Sequence, residues 1–260
     1  MRRYKKIYQL KKQNKITVIA WIKIFFSFFI LFGGILSFFY FFQINSLEIS
    51  GLETIEKETI EKIILNNINH KFLFFYFNNI FFLPQVSIRE NLYSQFFNLE
   101  QINFQKQLPD KLIVEIKEKK PVAIIQQDNN FFYLDQNGII FQKLSTNHSS
   151  SQLAIINSLK KDSLILGETI INKSLLDFIL FGYQELQKIN IVIKTILFDE
   201  DKITYITLNN WEIYFNAKQN LQQQWQKLVM VLADISNEQK KKLEYIDLRF
   251  DNFVFPKFKK

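Results

Sequence analysis

The sequence predicts an α+β protein in which a single transmembrane helix precedes two folded domains. Three observations predict this class. First, residues 24–42 contain no charged side chain. Second, residues 43–120 follow the order strand, helix, helix, strand, strand. Third, residues 121–255 combine alternating apolar segments with two amphipathic helices, as in a mixed β-sheet domain. Residues 1–23 and 256–260 are short basic tails.

The apolar segment from Ile24 to Phe42 is interpreted as a membrane anchor. As a helix it would span roughly 28 Å at about 1.5 Å per residue, close to the hydrocarbon thickness of a bilayer. A buried core helix and a cleaved signal peptide are the alternatives. A core helix rarely runs this long without a charge, and no small-residue cleavage pattern follows Phe42. The anchor is therefore the favoured interpretation.

The basic N-terminal tail predicts the orientation of the anchor. The whole chain has 33 Lys and Arg against 25 Asp and Glu, a net charge of +8, and the tail has no acid. Its basic residues, which account for the whole excess, are Arg2, Arg3, Lys5, Lys6, Lys11, Lys12, Lys15 and Lys23. The positive-inside rule places this tail in the cytoplasm and residues 43–260 outside. Attraction to anionic lipid explains the charge better than nucleic-acid binding.

Chemical motifs that would indicate catalysis are missing from the sequence. The chain has no Cys, which excludes disulfides and thiolate metal sites, and only 6 Gly, with no phosphate-binding glycine-rich loop. His70 and His148 are far apart and have no ligand-spaced partner, and the serines at 149–151 lack a surrounding G-x-S-x-G. The sequence therefore predicts no catalytic residue, no cofactor and no metal, and a protein that is not an enzyme.

Apolar spacing predicts the elements of residues 43–120. The expected elements are a strand at Ile44–Ile49, a helix on Ile60, Ile64 and Ile68, a second helix on Ile88 and Leu92, and strands around Ile102–Phe104 and Leu112–Ile116. A turn at Leu108–Lys111 separates the last two strands. These elements make a compact α+β module of about the smallest size that folds alone.

Residues 121–255 give equally clear local signals. Asn137-Gly138 is a strong hairpin signal between two apolar strands. Further strands are expected at 191–198, 203–208 and 211–215, and helices at 175–189 and 221–232.

Several of these segments resemble the FtsQ/DivIB family of bacterial cell-division proteins. The segments are Ile49–Leu52 after the anchor, the run from Pro109 to Ala123 (PDKLIVEIKEKKPVA), Tyr133–Phe141 around the hairpin, and Tyr245–Phe250 (YIDLRF). The resemblance implies that residues 43–120 form a POTRA domain and that residues 121–255 form the β domain typical of the family.

The resemblance also implies a function. It indicates a non-enzymatic membrane scaffold at the division septum that binds FtsB- and FtsL-like proteins, and also FtsW and the septal transpeptidase, to regulate septal peptidoglycan synthesis. One alternative is a membrane-tethered POTRA module in protein export or envelope assembly, but a single repeat and no barrel-length strands are seen. The other is an exported enzyme such as a wall hydrolase, which would need an acid pair or metal cluster.

The C-terminal segment is the candidate partner-binding site. A strand that runs to Phe255 and stops at Pro256 would be terminal, and a terminal strand is often an edge that a partner extends by β-augmentation. The candidate residues are Arg249, Phe250, Asn252, Phe253, Val254 and Phe255. The alternative that these aromatics complete the core stays open.

Overall fold

The computed structural model describes residues 15–68, 70–72, 75–144, 153–159, 163–199, 201–251 and 253–259. The helices described are α1 (Lys15–Phe41), α2 (Lys57–Ile68), α3 (Gln85–Gln95), α4 (Lys173–Lys188), α5 (Leu221–Asp234) and α6 (Asn237–Lys242). The strands are β1 (Ser46–Ser50), β2 (His70–Phe72), β3 (Phe75–Phe77), β4 (Leu99–Gln107), β5 (Lys111–Glu118), β6 (Ala123–Gln127), β7 (Asn130–Leu134), β8 (Ile140–Leu144), β9 (Ala154–Ser158), β10 (Ile193–Asp199), β11 (Lys202–Thr207), β12 (Glu212–Asn216), β13 (Leu243–Asp247) and β14 (Phe255–Phe258).

Helix α1 contains the predicted anchor but is longer than predicted. The part that is long and apolar enough to cross a membrane is Ile19–Phe41, so it begins before Ile24 and ends one residue before Phe42. No Pro or Gly lies between Lys15 and Ile24 to end the helix. Lys23 is exposed on this helix. The remaining predicted topology residues, Arg2, Arg3, Lys5, Lys6, Lys11 and Lys12, lie outside the described residues.

The chain divides into two compact units. Unit 1 contains the described residues up to Leu92 together with Ile102–Ile116, and unit 2 contains Tyr93–Gln101 together with the described residues from Lys117 onward. The domain limits expected from the sequence, 43–120 and 121–255, stay predictions.

Unit 1 contains a three-stranded sheet in the order β1-β5-β4, with β1 parallel to β5. Helices α2 and α3 contribute apolar side chains that are fully buried, among them Ile60, Ile64, Ile88 and Leu92. The predicted order strand, helix, helix, strand, strand is present. Between the helices the chain adds the short β2–β3 hairpin and a 3-10 turn at Ile80–Phe82, which the sequence analysis did not predict.

Unit 2 contains a nine-stranded sheet in the order β14-β13-β12-β11-β10-β9-β6-β7-β8. Helices α4 and α5 pack on one face, where the rings of Phe178 and Trp225 contact Phe215 at centroid distances of 5.3 and 6.4 Å. Tyr205 is completely buried beside them, and its hydroxyl donates to the carbonyl of Ile179 at 3.0 Å. The opposite face of β11–β14 is therefore free of these helices.

Candidate partner-binding surface

Strand β14 is the last strand of the nine-stranded sheet. It pairs antiparallel with β13 on one side, from Asp247↔Phe255 to Leu243↔Phe258. No other described strand pairs with its second side, and all four of its residues are exposed. Pro256 within this strand is typical of an edge, because a proline cannot donate to a sheet ladder. The backbone of β14 is thus placed where another strand could pair with it.

The position of this strand corrects one prediction. The sequence analysis expected a strand up to Phe255 that stops at Pro256, but β14 begins at Phe255 and continues through Pro256 to Phe258. Residues 248–254 connect β13 to β14, so Arg249, Phe250, Phe253 and Val254 precede the edge strand. Asn252 lies outside the described residues. A proline lying opposite Ile246 within an edge strand leaves the strand intact, which is why Pro256 does not end it.

The aromatic residues of this segment form a small exposed cluster. The ring of Phe255 lies 5.0 Å from that of Phe250 and 6.2 Å from that of Phe253, measured between centroids. All three side chains are exposed, whereas Val254 is half-buried and packs against the core of unit 2. Lys227 on α5 donates to the carbonyls of Phe250 and Asp251, the former at 3.1 Å. These hydrogen bonds therefore hold the backbone of residues 250–251 in place, while the phenylalanine rings remain exposed to solvent.

Arg249 is held by a buried carboxylate. Asp247 accepts from the Nε and Nη2 atoms of Arg249 at 2.8 and 2.6 Å, and from its backbone N–H at 3.1 Å. Burial opposes ionisation of Asp247, but these hydrogen bonds and the guanidinium charge outweigh it and hold the pKa of the carboxyl below its ordinary value. The same hydrogen bonds raise the pKa of Arg249. The guanidinium is thus fixed in one orientation.

An aromatic and basic ladder crosses the helix-free face beside the edge. Tyr214 on β12 and Tyr245 on β13 lie 5.4 Å apart between ring centroids. Cations flank both rings: Lys202 and Arg249 lie 4.1 and 5.1 Å from the Tyr214 centroid, and Lys257 lies 5.5 Å from that of Tyr245. Such cation–π contacts order long side chains at a surface. We name the surface formed by this ladder and the exposed Phe cluster the terminal edge: Lys202, Tyr214, Tyr245, Arg249, Phe250, Phe253, Phe255 and Lys257.

Two acidic residues complete the electrostatics of the terminal edge. The Tyr214 hydroxyl donates to Glu212 at 2.5 Å. Burial, followed by this hydrogen bond and the charge of Glu212, raises the pKa of Tyr214 above its ordinary value, so the phenol stays protonated. Lys257 donates to Glu244 at 2.9 Å, and this contact raises the pKa of the lysine. Tyr214 therefore stays neutral, and Arg249 and Lys257 stay charged, across the physiological pH range.

The described residues contain no group of three or more His, Cys, Asp or Glu side chains placed to share a metal ion. The expectations of no catalytic residue and no cofactor stay predictions. The terminal edge offers backbone groups, aromatic faces and fixed positive charges, which are the features of a binding surface.

Much of the C-terminal sheet also matches a known protein family. Residues 123–249 match the family model described as "Cell division protein FtsQ/DivIB, C-terminal". The matched residues run from the start of β6 to the arginine of the terminal edge.

Residues 123–249 of this chain are thus similar to the C-terminal domain of the FtsQ/DivIB family. Two relatives in this family show how much sequence identity it shares with this chain. The cell division protein DivIB of Clostridium tetani is 28% identical over 130 residues, which cover 50% of this chain and 45% of the relative. The cell division protein DivIB of Clostridium botulinum strain Hall is 31% identical over 103 residues, covering 40% of this chain and 37% of the relative. The chain thus spans less than half the length of the FtsQ/DivIB relatives it matches.

The structure also adds residues that sequence reasoning missed. Tyr214, Lys202 and Lys257 were not among the predicted binding residues, although they surround Arg249 and β14. The alternation of apolar and polar residues along β12 could have revealed Tyr214. Ile213 and Phe215 are buried, so the side chain of Tyr214 between them must lie on the opposite face of the sheet. What the sequence could not supply is the neighbouring strand, because β12 pairs with β13 across a helical connection of about 25 residues.

Proposed function

We propose that this chain is a non-enzymatic, single-pass membrane scaffold of the bacterial cell-division machinery, and that the terminal edge is its partner-binding surface. The N-terminus lies in the cytoplasm and residues 43–260 lie outside. The partner is an extended or coiled-coil division protein of the FtsB or FtsL type, which adds a strand to β14. Through such partners, and the FtsW-type and transpeptidase proteins they bind, the chain regulates septal peptidoglycan synthesis.

The observation that carries this proposal is the open second side of β14. Its exposed backbone lies beside three exposed phenylalanines and a fixed guanidinium. In β-augmentation the main chain supplies affinity and neighbouring side chains supply specificity. The family relatives, which are named as cell division proteins, support the cellular role.

Co-purification of the full chain with its coiled-coil partner tests the binding surface. We expect Phe253→Glu and Phe255→Glu to reduce the captured partner by roughly tenfold or more, because each places a carboxylate in a desolvated aromatic contact. Leu208→Glu is the matched control, since Leu208 is 62% exposed and Phe253 66% exposed, and Leu208 lies outside the terminal edge. Capture of the partner at wild-type yield by both Phe variants would refute the edge assignment.

Two cellular measurements test the rest of the proposal. A fluorescent fusion of the full chain should form a mid-cell band in dividing cells, and a uniform envelope signal would contradict a role in the division machinery.

Protease added to spheroplasts should degrade the region after α1. Protection of that region would reverse the proposed orientation.

A further inference from the structure

The 3-10 turn at Ile80–Phe82 presents two phenylalanine rings that the core of unit 1 does not use. Asn79 begins the turn, and its side-chain oxygen accepts from the N–H of Phe81 at 2.9 Å. Ile80 before these rings and Leu83 after them are buried. Phe81 and Phe82 are instead 44% and 65% exposed. Their exposure is therefore not explained by the packing of the unit.

The turn is attached to the end of the apolar helix by its backbone. The N–H of Ile80 donates to the carbonyl of Phe42 at 2.9 Å, and the N–H of Ile44 donates to the carbonyl of Asn78 at 2.9 Å. An antiparallel bridge joins Gln43 to Asn79 between these two bonds. The first residues after α1 and the residues before the turn are thus paired, which fixes the turn at the level where the helix ends.

The two rings also stack on the last turn of α1. Phe81 stacks on Phe38 with centroids 5.6 Å apart and an interplanar angle of 19°, and Phe82 stacks on Phe39 at 5.7 Å and 15°. The apolar part of α1 ends at Phe41. If α1 spans the bilayer as proposed, its last turn lies at the boundary between acyl chains and headgroups, because 23 residues of helix rise about 34 Å and a bilayer core is roughly 30 Å thick.

A cation accompanies the rings. The Nζ atom of Lys106 on β4 lies 3.5 Å from the carbonyl oxygen of Phe81. Exposed phenylalanines at a membrane surface bury their rings in the headgroup and acyl boundary, and lysines near the ends of membrane helices extend their amines to the headgroups.

We propose that the turn carrying Phe81 and Phe82 is a second membrane contact, which inserts both rings into the outer headgroup and acyl boundary beside the end of α1. The occupant of this surface is lipid. The inference rests on the proposed membrane anchor, because the turn reaches the boundary only if α1 spans the bilayer. As a consequence, the part of unit 1 after α1 contacts the membrane at the turn as well as through the helix, which restricts its rotation about residues 42–45.

Depth-dependent quenching of the full chain in phospholipid vesicles tests the proposal. The chain has no Cys, so a single cysteine can carry an environment-sensitive fluorophore at a chosen site. We expect a label at Phe82→Cys to emit at shorter wavelength than in water and to be quenched most strongly by nitroxides attached near the headgroup. Val86→Cys, which leaves both rings in place and starts from a side chain 67% exposed, is a second label close to the turn and should be quenched in the same order.

Two reference labels make the outcomes distinguishable. Glu56→Cys lies on an exposed residue beyond the far end of β1, a strand about 17 Å long that begins after the helix has ended, and should remain unquenched. Phe32→Cys lies inside the apolar helix and should be quenched by deep nitroxides. If labels at 82 and 86 behave like the label at 56 while the label at 32 is quenched, the second contact is refuted and the anchor stands. If the label at 32 is also unquenched, the anchor and the inference fall together.

Discussion

The nine-stranded sheet of unit 2 ends in β8 on one side and in β14 on the other, and only the first of these edges is covered by a described segment. At the start of β8 the N–H of Ile140 donates to the backbone carbonyl of Glu168 at 3.0 Å, and the N–H of Gly167 donates to the backbone carbonyl of Ile140 at 2.7 Å. A bridge between Ile139 and Thr169 lies beside these bonds. No described segment covers the second side of β14 in this way.

The two edges differ in how they are shielded. A segment of a few residues pairs with the start of β8, whereas no described strand pairs with the second side of β14. Exposed edges favour uncontrolled association, and proteins usually shield them. β14 has partial shielding of this kind, because it is short and contains Pro256 and Lys257. A blunted edge without a described strand on its second side is compatible with the strand addition proposed above.

The largest expected effect of a single substitution is at the covered edge. Gly138 has a φ of +73°, and an added Cβ would lie 1.8 Å from the carbonyl oxygen of Ile171. We expect Gly138→Ala to lower the free energy of unfolding of unit 2 by about 2–4 kcal/mol, because it combines left-handed strain with a backbone clash. Urea unfolding of the full chain in detergent, followed by the fluorescence of the buried Trp211 and Trp225, measures the change.

Gly33→Ala is the matched control for that substitution. A Cβ at Gly33 meets nothing within 4 Å, so the midpoint of unfolding should stay within error of the wild type. A Gly138→Ala chain as stable as this control would show that residues 167–171 do not hold the edge of β8.

The hairpin around Gly138 was also the easiest part of unit 2 to predict. Asn137-Gly138 signals a hairpin, and in the structure it lies in the connection of residues 135–139 between β7 and β8. Gly138 alone of the pair has a positive φ, +73°, and Asp135 accepts from the N–H groups of Asn137 and Ile139. Helices α4 and α5 and strands β10 to β12 follow directly from apolar periodicity, and they were predicted to within a few residues.

The missing parts depended on contacts between distant segments. Strand β9 lies between β10 and β6 as a parallel strand, yet its five residues, AIINS, give no clear alternation, and it was not predicted. The start of β14 was misplaced because Pro256 was taken as a breaker, whereas an edge position accepts it. The ladder of Tyr214 and Tyr245 joins strands that are far apart in the chain, so local patterns could not reveal it.

The next largest effect is expected at Asp247, which anchors Arg249 at the open edge. Asp247→Asn removes the carboxylate that accepts three hydrogen bonds from Arg249. We expect a loss of about 1–3 kcal/mol in the free energy of unfolding at pH 7, because the side chain is almost fully buried. Asp177→Asn is the matched control, since the Lys173–Asp177 pair is exposed and should contribute less than about 0.5 kcal/mol.

The pH dependence of this variant gives a second readout. The folded-state pKa of Asp247 lies below its ordinary value, so the carboxylate stabilises the fold fully above the unfolded pKa of about 3.9. That stabilisation is lost as the pH falls below this value and through the lower folded pKa. The wild type and Asp247→Asn should therefore differ at pH 7 and converge under acid conditions. A difference that persists unchanged to pH 2 would show that packing, and not the charge of Asp247, holds Arg249.

The smallest effect is expected at the proline of the open edge. Pro256→Ala frees the backbone of the unfolded chain and should lower the free energy of unfolding by about 0.4–1 kcal/mol, less than either substitution above. It also restores a backbone N–H on a strand whose second side no described strand covers. We therefore expect the variant to self-associate at lower concentration than the wild type in sedimentation experiments, because an unblunted edge pairs with another copy. An unchanged association state together with a loss above about 2 kcal/mol would mean that Pro256 stabilises unit 2 by packing, and that the edge does not need to be blunted.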